Sequence, residues 1–239
     1  MIILAIDTSE ARGSVTVLRD GEPVGVLAHA DKSDYSEWLI PAVEEVLEGA
    51  GVPTESVDVY AVATGPGSFT GVRVGLATVK AWCEVHGKPV VAVSRLEALA
   101  RSGKREAGFQ AAYYDAQRGQ IFAGLYRCAF GKFARIGDEM VVGAEAFLEL
   151  ATGEARQSQI RWVSLDPQLM TGLAGWKVRE RLGDTMERGP AELATSIGVL
   201  AEQRAVAGQF TDPLGLDANY VRRSDAEIFW KGPAAHGRR

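Results

Sequence analysis

Gly65-Pro66-Gly67-Ser68-Phe69-Thr70-Gly71-Val72-Arg73-Val74-Gly75 stands between two segments of different period. Before it, Val57-Asp58-Val59-Tyr60-Ala61-Val62-Ala63-Thr64 reads as a short buried strand. After it, Val72, Leu76, Val79 and Cys83 recur at helical spacing as far as His86. Glycine at such a strand-to-helix junction permits positive φ, and it lets a ligand phosphate or another backbone approach the helix N–H groups. The run fits neither common nucleotide fingerprint. Val72 follows Gly71 where a P-loop requires Lys and then Ser or Thr, and Thr70 stands where the dinucleotide pattern requires Gly or Ala. Two readings stay open: a phosphate-facing loop, or a tight turn in which Ser68 or Thr70 caps the helix while Gly71 and Gly75 allow close packing.

Working outward, the N-terminal stretch predicts a three-strand meander over Ile2–Ile6, Gly13–Leu18 and Pro23–Leu27, with Arg19-Asp20-Gly21-Glu22 as a hairpin turn. Trp38, Leu39, Ala42, Val43, Val46, Leu47 and Ala50 then recur at helical spacing. Pro41 either marks the first turn of that helix or bends it, because it removes a backbone donor. A strand over Lys88–Val93 and a short helix over Leu96–Ala100 complete the order β-β-β-α-β-α-β-α, which implies a mixed sheet with helical crossovers. A polar, Gly-containing stretch from Ser102 to Gly108 marks a boundary. Beyond it Ala111–Asp115 ends a strand on Asp as Ile2–Asp7 does, and Gly119–Tyr126 supplies a second strand, so the chain reads as two related halves. Further strands are expected over Phe130–Val142 and Ile160–Leu165, helices over Ala144–Ala151 and Ala191–Ala207, and an extended segment over Leu214–Val221. The resulting division is 1–103, 104–221 and a basic, frayed tail over 222–239.

The 239 residues are 46% apolar and 24% charged, the balance of a soluble globular protein with a substantial core. The net charge of −5 argues against broad electrostatic binding to a polyanion, although five basic residues against two acidic ones follow Val221. Only Cys83 and Cys128 are present, so no disulfide framework is expected. Ile2–Ile6 runs into Asp7 without a basic leader, and no apolar run reaches the roughly 20 residues that span a bilayer. A reducing, cytoplasmic location with no membrane partner follows as the expectation.

Candidate chemistry is sparse. Asp7, followed by Thr8 and Ser9, closes the first strand; a carboxylate there can help hold a metal in phosphotransferases of the actin and sugar-kinase architecture, while an Asx turn explains it equally well. His29, His86 and His236 are the only histidines, and Cys83 with His86 lacks the third ligand a metal site needs. There is no His-Glu-x-x-His and no Gly-x-Ser-x-Gly, so zinc or serine hydrolase chemistry lacks its parts. The helical faces carrying Trp38, Leu39, Val43 and Leu47, and Gly71, Gly75, Leu76 and Val79, cover a sheet by default. The Gly-x-x-x-Gly step means that the sheet, a ligand or another chain comes close.

Four stretches together resemble the bacterial TsaB (YeaZ) family: Ile3-Leu4-Ala5-Ile6-Asp7-Thr8-Ser9, the Gly65 to Gly75 run, Asp115-Ala116-Gln117-Arg118-Gly119-Gln120-Ile121-Phe122 and Tyr220-Val221-Arg222. Their order and spacing match over nearly the whole chain, although Gln120 stands where relatives commonly have Glu and Ala218 where they have Pro. The resemblance implies two actin-like, ribonuclease-H-like α/β subdomains with mixed sheets and flanking helices. It implies a role in forming threonylcarbamoyladenosine at position 37 of tRNAs that read codons starting with adenine. In that role the chain is a non-catalytic subunit with no cofactor and no metal, paired with the transferase TsaD, joined by the ATPase TsaE and reaching tRNA mainly through TsaD. TsaD-like proteins hold their metal partly through a His-x-x-x-His pair on the first helix, and Tyr35-Ser36-Glu37-Trp38-Leu39 contains no His. The partner surface, shared with a homodimer, is expected on the two N-terminal helices at Trp38, Leu39, Val43, Leu47, Gly75, Leu76 and Val79. Asp7, Thr8, Gly65, Pro66, Gly67, Ser68, Phe69, Thr70, Gly71 and Arg73 form the family motif and a possible nucleotide or interface loop. The rival expectation is an actin-fold ATPase or kinase using Asp7 and the Gly65–Gly71 loop; a metal-dependent peptidase is the third.

Overall fold

The computed structural model describes residues 1–29, 34–103, 107–130 and 132–221. The expectation of a frayed basic tail over 222–239 lies outside the described residues. The first half begins with strands β1 (Ile2–Asp7), β2 (Ser14–Arg19) and β3 (Glu22–Ala28) and helix α1 (Tyr35–Gly49). Strand β4 (Val59–Ala63), helix α2 (Phe69–His86), strand β5 (Val90–Val93) and helix α3 (Arg95–Arg101) follow. The second half carries β6 (Gly108–Asp115), β7 (Ile121–Ala129), β8 (Lys132–Val142), α4 (Ala144–Ala155), β9 (Ile160–Ser164), α5 (Gln168–Thr171), α6 (Ala174–Arg181) and β10 (Thr185–Arg188); α7 (Ala194–Val206) closes the order.

Each half builds a five-stranded mixed sheet, ordered β3-β2-β1-β4-β5 and β8-β7-β6-β9-β10. In both, an antiparallel meander is extended by parallel strands that enter beside the meander's first strand. The repeat inferred from two strands that end on Asp thus extends to whole-sheet topology: Asp7 ends β1 and Asp115 ends β6. Alternation of small and β-branched residues explains why β1 and β4 lie at the centre. Residues 59–63 are buried on both faces, as parallel strands covered by helices must be.

Three cores separate the layers. Leu4, Ile6, Val15, Val17 and the inner residues of α1 and α2 pack on the outer face of the first sheet. Trp162 gathers Tyr113, Phe147 and Trp176 on the outer face of the second. A shared core joins the sheets through α3 and α7, with Ile3, Ala5, Leu18, Leu99 and Ile197 meeting Ala112, Tyr114 and Val163.

The structure refines several expectations. Pro41 lies inside α1 rather than at its start. The segment between Ser164 and Ala191, which carries no clear periodicity, contains α5, α6 and β10. Leu214–Val221 adds no strand to a sheet, yet it is anchored: the Asn219 amide donates to the Thr64 carbonyl at 2.8 Å, and Leu216 enters the first core. Helix α7 falls in the range 104–221 but packs on the inner face of the first sheet. There the Ala194 amide donates to Ser14 Oγ at 3.1 Å, and a Cβ on Gly198 would stand 2.2 Å from Leu18 Cδ1.

Ile197 is fully buried between α7 and the first sheet. Truncation of a core isoleucine costs about 2–5 kcal/mol through lost burial and a residual cavity. Ile197→Ala is therefore expected to lower the free energy of unfolding obtained from urea titration by that amount, with both halves unfolding in one transition because they share this core.

Candidate functional site

The end of β1 decides what the conspicuous motifs can do. Asp7 and Arg95 are both fully inaccessible to solvent, and Arg95 Nε donates to Asp7 Oδ2 at 3.0 Å. The other carboxylate oxygen accepts from the Ser9 amide at 3.0 Å and from the Ser9 hydroxyl. Arg95 Nη2 donates to the Ala191 carbonyl at 3.2 Å, its backbone amide donates to the Gly65 carbonyl at 2.8 Å, and its guanidinium lies 4.9 Å from the Tyr114 ring centroid. Burial works against the Arg95 charge, yet Asp7, Tyr114 and Glu10 outweigh it and hold the guanidinium pKa above its ordinary value. Both Asp7 oxygens are thereby engaged by groups of the chain itself, and the carboxylate is turned into the protein away from solvent. Among the described residues no group of three or more His, Cys, Asp or Glu side chains is placed to hold a metal ion.

The glycines of the Gly65–Gly75 run face the same turn. A Cβ on Gly67 would lie 2.0 Å from the Ser9 carbonyl oxygen, and one on Gly71 would lie 2.0 Å from the Thr8 carbonyl oxygen. A Cβ on Gly75 would lie 2.6 Å from Thr8 Oγ1. The Ser68 amide donates to the Ser9 carbonyl at 2.7 Å, and Thr8 Oγ1 donates to the Gly71 carbonyl at 2.7 Å. Of the two sequence readings, close packing is the one observed: the thing that approaches α2 is the Asp7-Thr8-Ser9 turn. Ser68 is the cap, its Oγ accepting from the Gly71 amide at 3.2 Å, whereas Thr70 is exposed. Gly65 and Pro66, joined by a cis peptide, are buried, and the Pro66 carbonyl accepts from Tyr114 of the second half at 2.8 Å.

Phe69 and Arg73 of this run reach the surface beside Tyr220. Phe69 and Tyr220 flank Arg73, whose guanidinium sits 3.7 Å from the Phe69 centroid and 5.9 Å from that of Tyr220; Arg73 Nε donates to the Tyr220 hydroxyl at 2.9 Å. They border a cleft of about 580 Å³ between the halves, walled by Glu10, Pro66, Val72, Phe122, Asn219 and Val221 among others. Glu10 lines this cleft together with Asp115 and Arg118. Burial pushes its carboxyl up to about 7, the neighbouring Arg95 pulls it down, and Asp7 pushes it up again.

The helices nominated for a partner divide sharply. Leu39, Val43, Leu47, Leu76 and Val79 are 0–6% exposed and belong to the first core, and Gly75 is buried against Thr8; only Trp38 is half-buried. Those six face inward, because one amphipathic stripe cannot cover the sheet and stay open to another chain. The outward face of α2 carries Phe69, Arg73, Ala77, Ala81 and Val85 at four-residue spacing, and on α1 Ile40 and Pro41 are exposed. Sequence reasoning also missed Arg95, Glu10, Tyr114 and Glu139. Arg95 alone left a trace, as the one basic residue in the largely apolar run from Val90 to Ala100.

The family model of TsaD, tRNA N6-adenosine threonylcarbamoyltransferase, matches residues 19–170. A Bacillus subtilis protein, tRNA threonylcarbamoyladenosine biosynthesis protein TsaB, is 30% identical over 232 residues, covering 96% of this chain and 98% of the relative. This chain belongs to the TsaB family. The structure of YeaZ from Pseudomonas aeruginosa agrees, with a TM-score of 0.70 and 27% identity over 92% of this chain and 99% of that one. A ROK hexokinase from Thermus thermophilus, at a TM-score of 0.50 and 11% identity over 84% of this chain and 98% of its own, shares the actin-like fold alone. No described helix is long and apolar enough to cross a membrane.

Glu10 gives the TsaB-family site a pH signature. Its carboxyl is raised in the folded state, so its contribution to stability is complete below pH 4.5 and disappears as the pH rises through about 7. Glu10→Gln removes that loss. The variant is expected to match the parent in thermal unfolding at pH 4 and to exceed it at pH 8.

Proposed function

We propose that this chain is the non-catalytic partner of a TsaD-type threonylcarbamoyltransferase in the formation of threonylcarbamoyladenosine on tRNA. Family membership supplies the pathway, and the closed Asp7–Arg95 pair is the observation that carries the division of labour. The carboxylate that an actin-fold phosphotransferase would turn toward a metal is here sealed against an arginine. The loop that would cradle phosphate is filled by the Thr8 and Ser9 carbonyls. The reading therefore assigns chemistry to the partner and presentation of a surface to this chain.

That surface is the outward face of α2 with the adjoining edge of α1. Phe69 and Arg73 bring the residue types that dominate binding at interfaces, and Ala77 and Ala81 leave room for a second helix to come near. A TsaD-type chain and a second copy of this chain would compete for it. A TsaE-type ATPase would join the pair, and tRNA would be held mainly by the transferase, in keeping with a net charge of −5.

Ala77 is exposed, so Ala77→Glu should leave folding within about 0.5 kcal/mol of the parent. Placed in a closely packed helix pair, the new carboxylate is expected to weaken capture of a TsaD-type transferase more than tenfold. In a reaction reconstituted with TsaC, TsaD and TsaE, it should lower threonylcarbamoyladenosine in tRNA to the level seen when this chain is omitted. Unchanged capture and modification would remove this surface from the account.

A further inference from the structure

Glu139 sits on β8, an edge strand whose other residues are mostly open to solvent, yet it is buried. Its carboxylate accepts from three donors drawn from three parts of the chain. Ser94 Oγ, at the N-terminal cap of α3 in the first half, donates to Oε1 at 2.5 Å. The Tyr126 hydroxyl, on β7 of the second half, donates to the same oxygen at 2.6 Å. Asn219 Nδ2, on the segment after α7, donates to Oε2 at 2.5 Å. All three donors are neutral, so the charge is held by directed hydrogen bonds and the arrangement tolerates little displacement of any one of them.

The Asn219 segment makes this more than a local cluster. It is pinned to the first half by the Asn219 amide on the Thr64 carbonyl, by Leu216 in the first core and by Tyr220 against Arg73 and Phe69 of α2. The strap thus runs from the outward end of α2, along the wall of the cleft, to a buried carboxylate of the other half. We propose that Glu139 is a clasp: through Ser94 and Asn219 it fixes the two halves at one spacing and holds the strap against the end of α2. The cleft consequently keeps a constant width instead of opening and closing, and Phe69 and Arg73 are presented in one arrangement. Removing a donor leaves a buried carboxylate short of hydrogen bonds, and the relief open to it is water entering between the halves.

The effect on presentation rests on the partner reading above; the effect on the cleft does not. Hydrogen exchange of the full chain separates them. Asn219→Ala, a strap variant that leaves the Ser94 and Tyr126 bonds in place, is expected to speed exchange about tenfold in peptides covering 61–69, 120–127 and 216–221. Exchange in 22–28 and 160–164, remote from the clasp, should be unchanged. Glu139→Gln should do the same and add 94–98. The same Asn219→Ala protein should capture a TsaD-type transferase at least tenfold more weakly while keeping normal exchange in α1. Unaltered exchange at the cleft, or a uniform rise throughout the chain, would overturn the clasp. Local loosening with full capture, in an assay where Ala77→Glu abolishes capture, would overturn its hold on the partner face. Full capture by Ala77→Glu as well would point instead to failure of the partner reading, with the exchange result still deciding the clasp.

Discussion

Arg95 is the side chain on which the arrangement turns. A guanidinium removed wholly from water is tolerated only where a carboxylate and directed acceptors surround it, and losing one partner of such a pair costs about 3–5 kcal/mol. Asp7 takes Nε and the Ala191 carbonyl takes Nη2, the guanidinium lies 4.9 Å from the Tyr114 ring centroid, and Nη1 is left buried without a hydrogen-bond acceptor among the described residues. These groups come from the end of β1, the segment leading into α7 and the first strand of the second half. The Arg95 amide adds the Gly65 carbonyl of the loop before α2. The ion pair therefore sets where both sheets, the shared helices and the glycine-rich loop stand relative to one another.

From that constraint the character of the site follows. With Asp7 turned inward, the carbonyls of Thr8 and Ser9 face α2, and the backbone that lies against them is one without side chains. Gly67 and Gly71 answer to this geometry, which is why a run that resembles a phosphate loop in composition is a packing device in fact. The same closeness draws α2 onto the sheet and buries the Leu76 and Val79 face, leaving the opposite face of the helix at the surface. The carboxylate at the end of β1 is paired inward with Arg95, between the two sheets that the fold brings together.

How much of this was legible in the sequence depended on whether the signal was local. The meander from Ile2 to Leu27, the helix ending at His86 and the duplicated strand closing on Asp7 and Asp115 follow from period and turn chemistry, and all are present. The stretch holding α5, α6 and β10 was silent because its elements are short and stabilised by tertiary contacts. Arg179 bonds the carboxylate of Asp184, which also accepts from Trp162 Nε1, and no pattern of spacing announces that. The residues nominated for a partner proved buried for a definite reason: helical periodicity identifies the apolar stripe that covers the sheet, and Ala77, Ala81 and Val85 on the opposite face do not stand out by composition. Glu10, Arg95 and Glu139 became meaningful only once long separations were closed by folding, 88 residues between Asp7 and Arg95 and 80 between Glu139 and Asn219. The family motifs carried the pathway, whereas the reason for each glycine in them lay in atoms of a different segment.

The central claim is that Asp7 stabilises and does not catalyse. It is tested most directly by replacing the ion pair with an uncharged one, Asp7→Asn with Arg95→Met, in a protein first shown to keep its cooperative unfolding and its capture of the transferase. Such a pair keeps the acceptor for Ser9 and removes both buried charges, a change that is often neutral for stability. The account predicts that this variant, combined with TsaC, TsaD and TsaE, forms threonylcarbamoyladenosine in tRNA at the parent rate. Loss of modification by a folded, partner-bound Asp7→Asn/Arg95→Met protein would contradict it and return Asp7 to the chemistry.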